Sequence, residues 1–416
     1  MKKQISLLFF LLLWLPGALA FSESEEQETI MSRDFGKTVL EDGTAEKNYT
    51  YAEDTIFHDV VEVATGIQYL AVLKSDGTVS LAKINYSIES GSYEEYYVDF
   101  NNKEYRIPVD MDVLQSEVSG WRDIKSIEVF QFADSGWYDN CEILVGLDNS
   151  GKLHVAGGFS PETRDYYLEY IGPCIRTEDW SDVVSISTCF RLLIGVRSDG
   201  SLYFAGDSDG AEGIEYLAEN ASNVAFVKMA SSSQGPGAVC LFRDGRLGAA
   251  RYNIEKEEFS IEYDAEEVQA FDVGQSITAA LHTDNTVSFW GNRVPNCFDV
   301  EQVCCVGWDA YVVKQNGDVF LVTIGYPNEF EVHETDLKDI KRIYTNHSGN
   351  RIYGILGLKN DGSVVSKWNE NATQINLSNW TDIADIYFPA EHIVYVAGLK
   401  HDGSLIVSGN VTVEVY

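Results

Sequence analysis

The segment Leu399-Lys400-His401-Asp402-Gly403-Ser404-Leu405 contains the pattern that decides the fold. An Asp-Gly dipeptide lies between one apolar residue three positions before it and another two positions after its glycine. Glycine tolerates the positive φ of a tight primed turn, so this pattern predicts a two-stranded β-hairpin. The pattern occurs eight times in the chain, at turns Asp76-Gly77, Ser150-Gly151, Asp199-Gly200, Asp244-Gly245, Asp284-Asn285, Asn316-Gly317, Asp361-Gly362 and Asp402-Gly403.

A second pattern precedes every hairpin. A polar residue is followed by an apolar residue and by another apolar residue three positions further on, as in Asp182-Val183-Val184-Ser185-Ile186. Such short β-branched segments predict an inner strand buried on both faces, and we expect a fourth strand between each hairpin and the next unit. The eight polar residues are Asp59, Asp123, Asp182, Asn223, Glu267, Asp299, Asp339 and Asp382.

The spacing of the repeats predicts the architecture. From Gly77 to Gly403 the units recur at a mean interval of about 47 residues, which is typical of propeller blades. One such unit cannot bury its own core, whereas a closed ring of them can. We therefore predict an all-β chain with a single β-propeller of seven or eight four-stranded blades over residues 36–416. The alternating segment Val411–Val415 predicts that strands from the two termini close the ring together.

The repeats resemble those of the regulator of chromosome condensation family. The matching residues are Leu399 to Leu405, Trp290-Gly291-Asn292 and Gly206-Asp207-Ser208-Asp209-Gly210, and the resemblance covers residues 57–410. It implies a propeller, usually of seven blades, whereas eight units are counted here. The family is also similar in fold to secreted propeller inhibitors of β-lactamase. Its founding activity, nucleotide exchange on a nuclear GTPase, conflicts with the leader and the charge described next.

The chain begins with an apparent export signal. Lys2 and Lys3 precede an apolar run from Ile5 to Leu15, and small residues follow before a predicted cleavage site after Ala20. We expect a signal peptide over residues 1–20, a flexible acidic leader over 21–35, and a secreted, extracellular protein. The formal charge of −35 disfavours nucleic acid and anionic lipid as partners. No later apolar segment is long enough to predict membrane insertion.

Motifs of catalysis or of metal and cofactor binding are absent from the sequence. No G-x-S-x-G, H-E-x-x-H or phosphate-binding glycine loop occurs, and the seven cysteines lack C-x-x-C spacing. The prediction is therefore a non-enzymatic chain without metal or cofactor, although an enzyme is not excluded. We interpret the cysteines as buried, inert thiols, and one or two disulfides remain open.

The loops that differ between units predict a binding face. We measure the spacing in each unit from the apolar residue after the polar residue of the second pattern to the first residue of the hairpin turn. This spacing is 16 residues in four units, and it is longer in units two, four, seven and eight, at 26, 20, 21 and 19 residues. All four insertions fall in the same loop, so a propeller displays them on one face. Trp137 and Tyr138 are the candidate anchors for an extracellular or cell-surface protein. Other candidate contacts are Asp139, His347, Asn350, Arg351, Glu391 and His392.

Three functions are compatible with this face. The hypothesis that the pattern favours is protein recognition. The alternatives are a carbohydrate-binding or glycan-processing propeller and an inhibitor of a secreted enzyme. Exposed aromatic rings beside paired acids in the central funnel would favour the glycan alternative.

Overall fold

Eight small antiparallel sheets follow one another along the chain and form an eight-bladed β-propeller. The computed structural model describes residues 51–86, 109–133, 140–161, 176–189, 192–206, 211–232, 235–254, 256–274, 277–307, 309–325, 329–348, 351–368, 375–389, 395–409 and 411–416. Each sheet corresponds to one repeat unit, so the number of blades, predicted as seven or eight, is eight.

The first four blades contain the following strands. Blade 1 comprises β2 (Val60–Thr65), β3 (Tyr69–Lys74), β4 (Val79–Tyr86) and β29 (Val411–Val415). Blade 2 comprises β5 (Ile124–Ala133), β6 (Asn140–Asp148) and β7 (Leu153–Ala156), and blade 3 comprises β8 (Val183–Cys189), β9 (Leu192–Arg197) and β10 (Leu202–Gly206). Blade 4 comprises β11 (Val224–Ser232), β12 (Gly235–Phe242), β13 (Leu247–Asn253) and β14 (Glu258–Ala265).

The remaining blades follow the same order. Blade 5 comprises β15 (Val268–Val273), β16 (Thr278–His282), β17 (Val287–Phe289) and β18 (Asn292–Arg293). Blade 6 comprises β19 (Val300–Val306), β20 (Asp309–Lys314), β21 (Val319–Gly325) and β22 (Glu329–Glu334). Blade 7 comprises β23 (Ile340–Ser348), β24 (Arg351–Lys359) and β25 (Val364–Trp368), and blade 8 comprises β26 (Ile383–Tyr387), β27 (Tyr395–Lys400), β28 (Leu405–Gly409) and β1 (Tyr51–Phe57).

Both chain termini close the ring, as the sequence predicted. The upstream strand β1 pairs antiparallel with β28 and becomes the outer strand of blade 8. The last strand, β29, pairs with β4 and becomes the outer strand of blade 1. In addition, the Val60 amide donates to the Gly403 carbonyl at 2.9 Å. Blades 8 and 1 are therefore joined in the same way as consecutive blades.

The expected fourth strand is only partly confirmed. It follows the hairpin directly in blades 4, 5 and 6, whereas blades 8 and 1 take theirs from the termini. The described parts of blades 2, 3 and 7 contain three strands each. In blade 3 a helix, α2 (Glu212–Asn220), follows β10, because Ile214 and Leu217 bury one apolar face of it. The tyrosine-rich insertions 93–97 and 166–170, interpreted as extra outer strands, lie outside the described residues.

The other helix precedes blade 2. This helix, α1 (Met111–Val118), begins after Asp110, whose carboxylate accepts the amides of Asp112 and Val113 at 3.1 and 3.2 Å. An aspartate at this position satisfies amides that have no partner within the helix. No helix among the described residues is long and apolar enough to cross a membrane.

One backbone hydrogen-bonding arrangement between consecutive blades recurs eight times and explains both sequence patterns. The polar residue before each first strand has a left-handed backbone, with φ between 55° and 64° at all eight positions. The amide after it donates to the carbonyl of the preceding blade's turn residue, as Val183 donates to Gly151 at 3.0 Å. Asp and Asn tolerate this conformation better than other non-glycine residues. The turn glycine is also constrained, because a Cβ on Gly151 would lie 2.7 Å from the Val183 nitrogen.

The core lies between neighbouring blades. On each first strand the residues one and four positions after the left-handed residue face it, as Val60 and Val63 do at 4% and 5% exposure. Three tryptophans, each two residues before a left-handed aspartate, pack over glycines of the second strands. A Cβ on Gly146 would lie 2.6 Å from the Trp121 ring. Each of these tryptophans therefore requires a glycine beneath it, and the pairs are Trp121 with Gly146, Trp180 with Gly195 and Trp380 with Gly398.

Candidate functional site

The two ends of the propeller carry different connections. The Asp-Gly turns and the left-handed residues lie at one end, which we call the turn face. The connections between the first and second strands of each blade lie at the opposite end, which we call the loop face. Because every first strand starts at the turn face, all four sequence insertions lie on the loop face, as predicted from their position in the unit.

Three of these insertions lengthen the inner hairpin. The first two strands have 10 and 9 residues in blade 2, 9 and 8 in blade 4, and 9 and 9 in blade 7. In blade 1 they have 6 residues each. The pairing continues to Ala133 opposite Asn140 in blade 2 and to Ser348 opposite Arg351 in blade 7. The described part of the added residues therefore extends the first two strands as two-stranded projections.

Two of the predicted contact residues fall at the end of the blade 7 projection. His347 lies on β23 opposite Ile352, and Arg351 begins β24 opposite Ser348. The structure thus brings these two residues onto one hairpin. The other candidates lie outside the described residues, namely Trp137, Tyr138, Asp139, Asn350, Glu391 and His392.

A second polar region lines the central channel, and sequence reasoning missed it. Residues three and five positions after the left-handed residue lie on the first strands, which surround the centre of a propeller, and several of them bond to the first strand of the next blade. Most of them are half-buried and polar. We call this set the channel wall. It comprises Glu62, Ser126, Ser185, Phe226, Ala270, Gln302, Arg342 and Asp385 at the third position, and Ala64, Glu128, Ser187, Lys228, Asp272, Cys304, Tyr344 and Tyr387 at the fifth.

Blades 4 and 5 are joined on this wall by an ion pair. Lys228 Nζ lies 2.7 Å from Asp272 Oδ1, and the other carboxylate oxygen accepts the Cys305 amide at 2.7 Å. Burial disfavours the ammonium, but the Asp272 carboxylate outweighs this cost and raises the pKa of Lys228. Both charges are therefore compensated in place.

Blades 7 and 8 are joined by a similar group. Arg342 Nη1 lies 3.2 Å from Asp385 Oδ2, and the Tyr344 hydroxyl donates to the same carboxylate. The Ile386 amide also donates to Asp385 Oδ1 at 3.0 Å. Burial, followed by the charge of Asp385, raises the pKa of Tyr344 above its usual value, so this phenol stays protonated.

Blades 1 and 2 present two carboxyl groups of a different kind. Ser126 Oγ donates to Glu62 Oε1 at 3.1 Å, and Thr188 Oγ1 donates to Glu128 Oε1 at 2.5 Å. Among the described residues no basic side chain pairs with either glutamate. Burial raises the pKa of Glu62 to about 8, with a smaller contribution from the charge of Glu128. Burial likewise raises the pKa of Glu128 to about 7.

Glu62 and Glu128 meet only part of the condition for a glycan site, which was a pair of acids beside exposed aromatic rings. The carboxyl groups are on neighbouring strands, but the aromatic rings nearest them along the wall, Tyr344 and Tyr387, are half-buried rather than exposed platforms. The described residues contain no group of three or more His, Cys, Asp or Glu side chains arranged to hold a metal ion.

The cysteines of the described segments are free thiols, which agrees with the interpretation of buried cysteines. Four are buried and two, Cys189 and Cys304, are half-buried. Burial raises the pKa to about 12 for Cys189, Cys240 and Cys304. A thiol with so high a pKa carries little of the reactive thiolate at neutral pH.

Aligning the eight units on the left-handed residue could have revealed the channel wall. The wall residues bond to partners far away in the sequence, 60 positions for Glu128 with Thr188 and 64 for Glu62 with Ser126, so no short motif contains them. Comparing the third and fifth positions across units would have shown two acids in adjacent units without a basic neighbour.

Comparisons with known proteins concern the fold. The chain matches no protein-family model, and a comparison with curated proteins gives no match. Among solved structures it is similar to the computationally designed Ika8 protein, with 12% identity, 86% of this chain and 98% of that chain covered, and a TM-score of 0.47. It is also similar to Prp20p from Saccharomyces cerevisiae, with 9% identity, coverage of 84% and 82%, and a TM-score of 0.38.

Proposed function

We propose that this chain is a secreted, non-enzymatic recognition module that binds an extracellular or cell-surface protein through its loop face. The proposal includes membership of the regulator of chromosome condensation type of repeat, which the register of Asp-Gly turns supports. The protein-binding role is one that propellers commonly serve. A rigid ring that displays variable loops at one end is suited to this role, because the scaffold holds the loops in a fixed arrangement.

The observation that carries the proposal is the one-sided lengthening of the inner hairpins. An unselected set of insertions would be expected at both ends of the blades, whereas all four occur on the loop face. Blade 2 has the longest described projection, and Trp137 and Tyr138 lie in the sequence between its two strands. Aromatic anchors on a preorganised projection are typical of residues that dominate binding energy at protein interfaces.

The experiment is affinity capture from secreted and surface fractions with chemical crosslinking. The bait is the exported chain, and the test variant is the Trp137→Ala, Tyr138→Ala double mutant. The matched control is Phe298→Ala, because this aromatic ring is 53% exposed and lies next to Asp299 on the turn face. All baits are first compared by thermal unfolding, so that only folded variants are scored.

We expect one set of proteins with the unmodified chain and with Phe298→Ala, and its loss with the double mutant. Equal capture by all three would show that the assignment of Trp137 and Tyr138 is wrong. Loss with Phe298→Ala alone would place recognition on the turn face. Binding to a glycan array without any captured protein would favour the carbohydrate alternative, and inhibition of a captured secreted enzyme would favour the inhibitor alternative.

A further inference from the structure

Exposed apolar side chains are concentrated at the tip of the outer hairpin of blade 4. Tyr252, near the end of β13, is 51% exposed, and Ile254 in the following turn is 83% exposed. This tip lies on the loop face, because β13 runs away from the turn face and β14 returns to it. Single exposed apolar residues are normal on a protein surface, whereas a contiguous group of them marks a contact region.

Three aromatic rings fix one another at this tip. Phe259 on β14 packs edge-on against Tyr252, with 5.1 Å between the ring centroids, and it stacks on Tyr216 of α2 at 5.9 Å. Two positions further along the same face, Ala250 and Ile261 pack against the core between blades 3 and 4. The rings are therefore anchored on the core, and little freedom remains to be lost when a partner binds. We call this group the rim patch, and its residues are Tyr216, Tyr252, Ile254 and Phe259.

The rim patch is bordered by negative charge. The first turn of α2 contains Glu212 and Glu215, and this helix has no basic residue. The hairpin turn contributes the exposed Glu257 and Glu258, and its Lys256 lies 4.0 Å from Glu258. An apolar centre with acids around it complements a partner that has apolar side chains flanked by Lys or Arg. A second copy of this chain is disfavoured, because it would bring the same acids, and a formal charge of −35, against this border.

We infer that the rim patch is a docking site for a protein segment in which basic residues flank apolar ones. This inference rests on the proposed function and deepens it, since it places a second contact on the loop face and gives the chemistry of the partner. The apolar side chains of the partner pack against Tyr252 and Ile254, and its basic side chains lie beside Glu212 and Glu258. A glycan is disfavoured, because the Tyr252 and Phe259 rings meet at 60° and do not form one flat platform.

The test is fluorescence anisotropy of labelled heptapeptides with the whole exported chain. The probe is Lys-Leu-Lys-Trp-Lys-Leu-Lys, and two control peptides replace either its apolar residues with serine or its lysines with glutamate. The rim-patch variant is Tyr252→Ser, Ile254→Ser. Its matched control is Val332→Ser, because Val332 is 37% exposed on the outer strand of blade 6, beside the exposed Glu331. Glu258→Gln tests the charged border, and Glu331→Gln is its control. Thermal unfolding first shows that every variant is folded.

We expect the probe to bind near neutral pH in about 0.1 M salt. The rim-patch variant should weaken binding at least about 10-fold, because it removes the apolar centre of the contact. Glu258→Gln should weaken it about 2- to 5-fold, whereas Val332→Ser and Glu331→Gln should change it less than about 2-fold. Both control peptides should bind at least about 10-fold more weakly than the probe, since each lacks one half of the complementary chemistry.

Three results would overturn the inference. The first is equal binding of the probe by the rim-patch variant and the unmodified chain, or no binding with about 1 mM probe. The second is equal binding of the serine peptide, which would show that charge alone attracts the probe. The third is a dimer in sedimentation that the rim-patch variant abolishes, which would identify a second copy as the occupant.

The capture experiment separates a failure of this inference from a failure of the proposed function. The rim-patch variant is added to its baits. Partners that are lost with Trp137→Ala, Tyr138→Ala but kept with the rim-patch variant would support the proposed function and overturn this inference. Partners that are kept with the first variant but lost with the second would support the rim patch and show that the assignment of Trp137 and Tyr138 is wrong.

Discussion

The glutamine variant of Glu62 should stabilise the protein at alkaline pH and leave it unchanged at acidic pH. The pKa of Glu62 rises from 4.5 to about 8 on folding. Below about pH 4.5 the carboxyl group is neutral in both the folded and the unfolded chain, so it costs nothing. Between about pH 4.5 and about pH 8 the unfolded chain ionises at this position while the folded chain keeps its proton. The unmodified protein therefore loses stability over this window, and the loss is complete above it.

The magnitude follows from the size of the shift. Each pKa unit corresponds to about 1.4 kcal/mol, so the change from 4.5 to about 8 sets an upper limit of about 5 kcal/mol. Water that reaches the channel screens part of this, and we expect about 2–4 kcal/mol. Glutamine matches the neutral acid in shape, and its carbonyl can still accept the Ser126 hydroxyl.

The assay is urea unfolding of the unmodified protein, Glu62→Gln and Glu301→Gln at several pH values between about 4.5 and about 9. The difference between Glu62→Gln and the unmodified protein should grow from near zero to its full value across this range. The Glu301→Gln control should stay within about 0.5 kcal/mol throughout. A difference that does not depend on pH, or a Glu62→Gln variant that is less stable at about pH 9, would refute the reasoning.

Three further outcomes follow from the fold. Gly151→Ala should lower the free energy of unfolding by about 2–4 kcal/mol, because Gly151 has a positive φ and a Cβ there would meet the backbone of the next blade. The control is Gly237→Ala at an exposed position, which should change the free energy of unfolding by less than about 0.5 kcal/mol. Both are measured by urea unfolding. Asp272→Ala should lower the free energy of unfolding by about 2–4 kcal/mol, because it leaves the buried Lys228 ammonium without its carboxylate partner. In a double-mutant cycle, adding Lys228→Met should recover part of this loss, whereas independent, additive effects would contradict the pairing. In a Cys174→Ser background, iodoacetamide at about pH 8 should leave the six remaining thiols of the folded protein almost unlabelled, and it should label all six in urea. Rapid labelling of the folded protein would contradict the burial of these thiols.

The repeat could be predicted because each unit carries two local signals in a fixed register. Asp76-Gly77 specifies a turn, and Asp123 precedes the next first strand. The physical role of the acids was not visible in the sequence. They occupy left-handed backbone, with φ of 58° at Asp123, and hold the first strand against the preceding blade's turn. The prediction was wrong where it assumed a uniform fourth strand, since α2 follows β10 after a segment that lacks β-branched alternation.

The channel wall was beyond sequence reasoning because its meaning depends on neighbours about one repeat away. Glu62 resembles any surface glutamate in its own segment, which alternates as an ordinary strand. Only the packing of blade 1 against blade 2 places its carboxyl group within 3.1 Å of the Ser126 hydroxyl. The loop-face residues differ in this respect, because an insertion is visible within a single unit.

The unpaired glutamates bear on what the channel wall contributes to stability. If Glu62 served the fold through its hydrogen bond from Ser126 alone, glutamine would be the better residue above about pH 4.5 and an equal one below it, since it keeps this hydrogen bond and avoids the ionisation cost. Stabilisation by Glu62→Gln at about pH 9 would therefore show that the ionised carboxyl group lowers the stability of the ring. Equal or lower stability of the variant would show instead that the carboxylate itself contributes to the packing of blades 1 and 2.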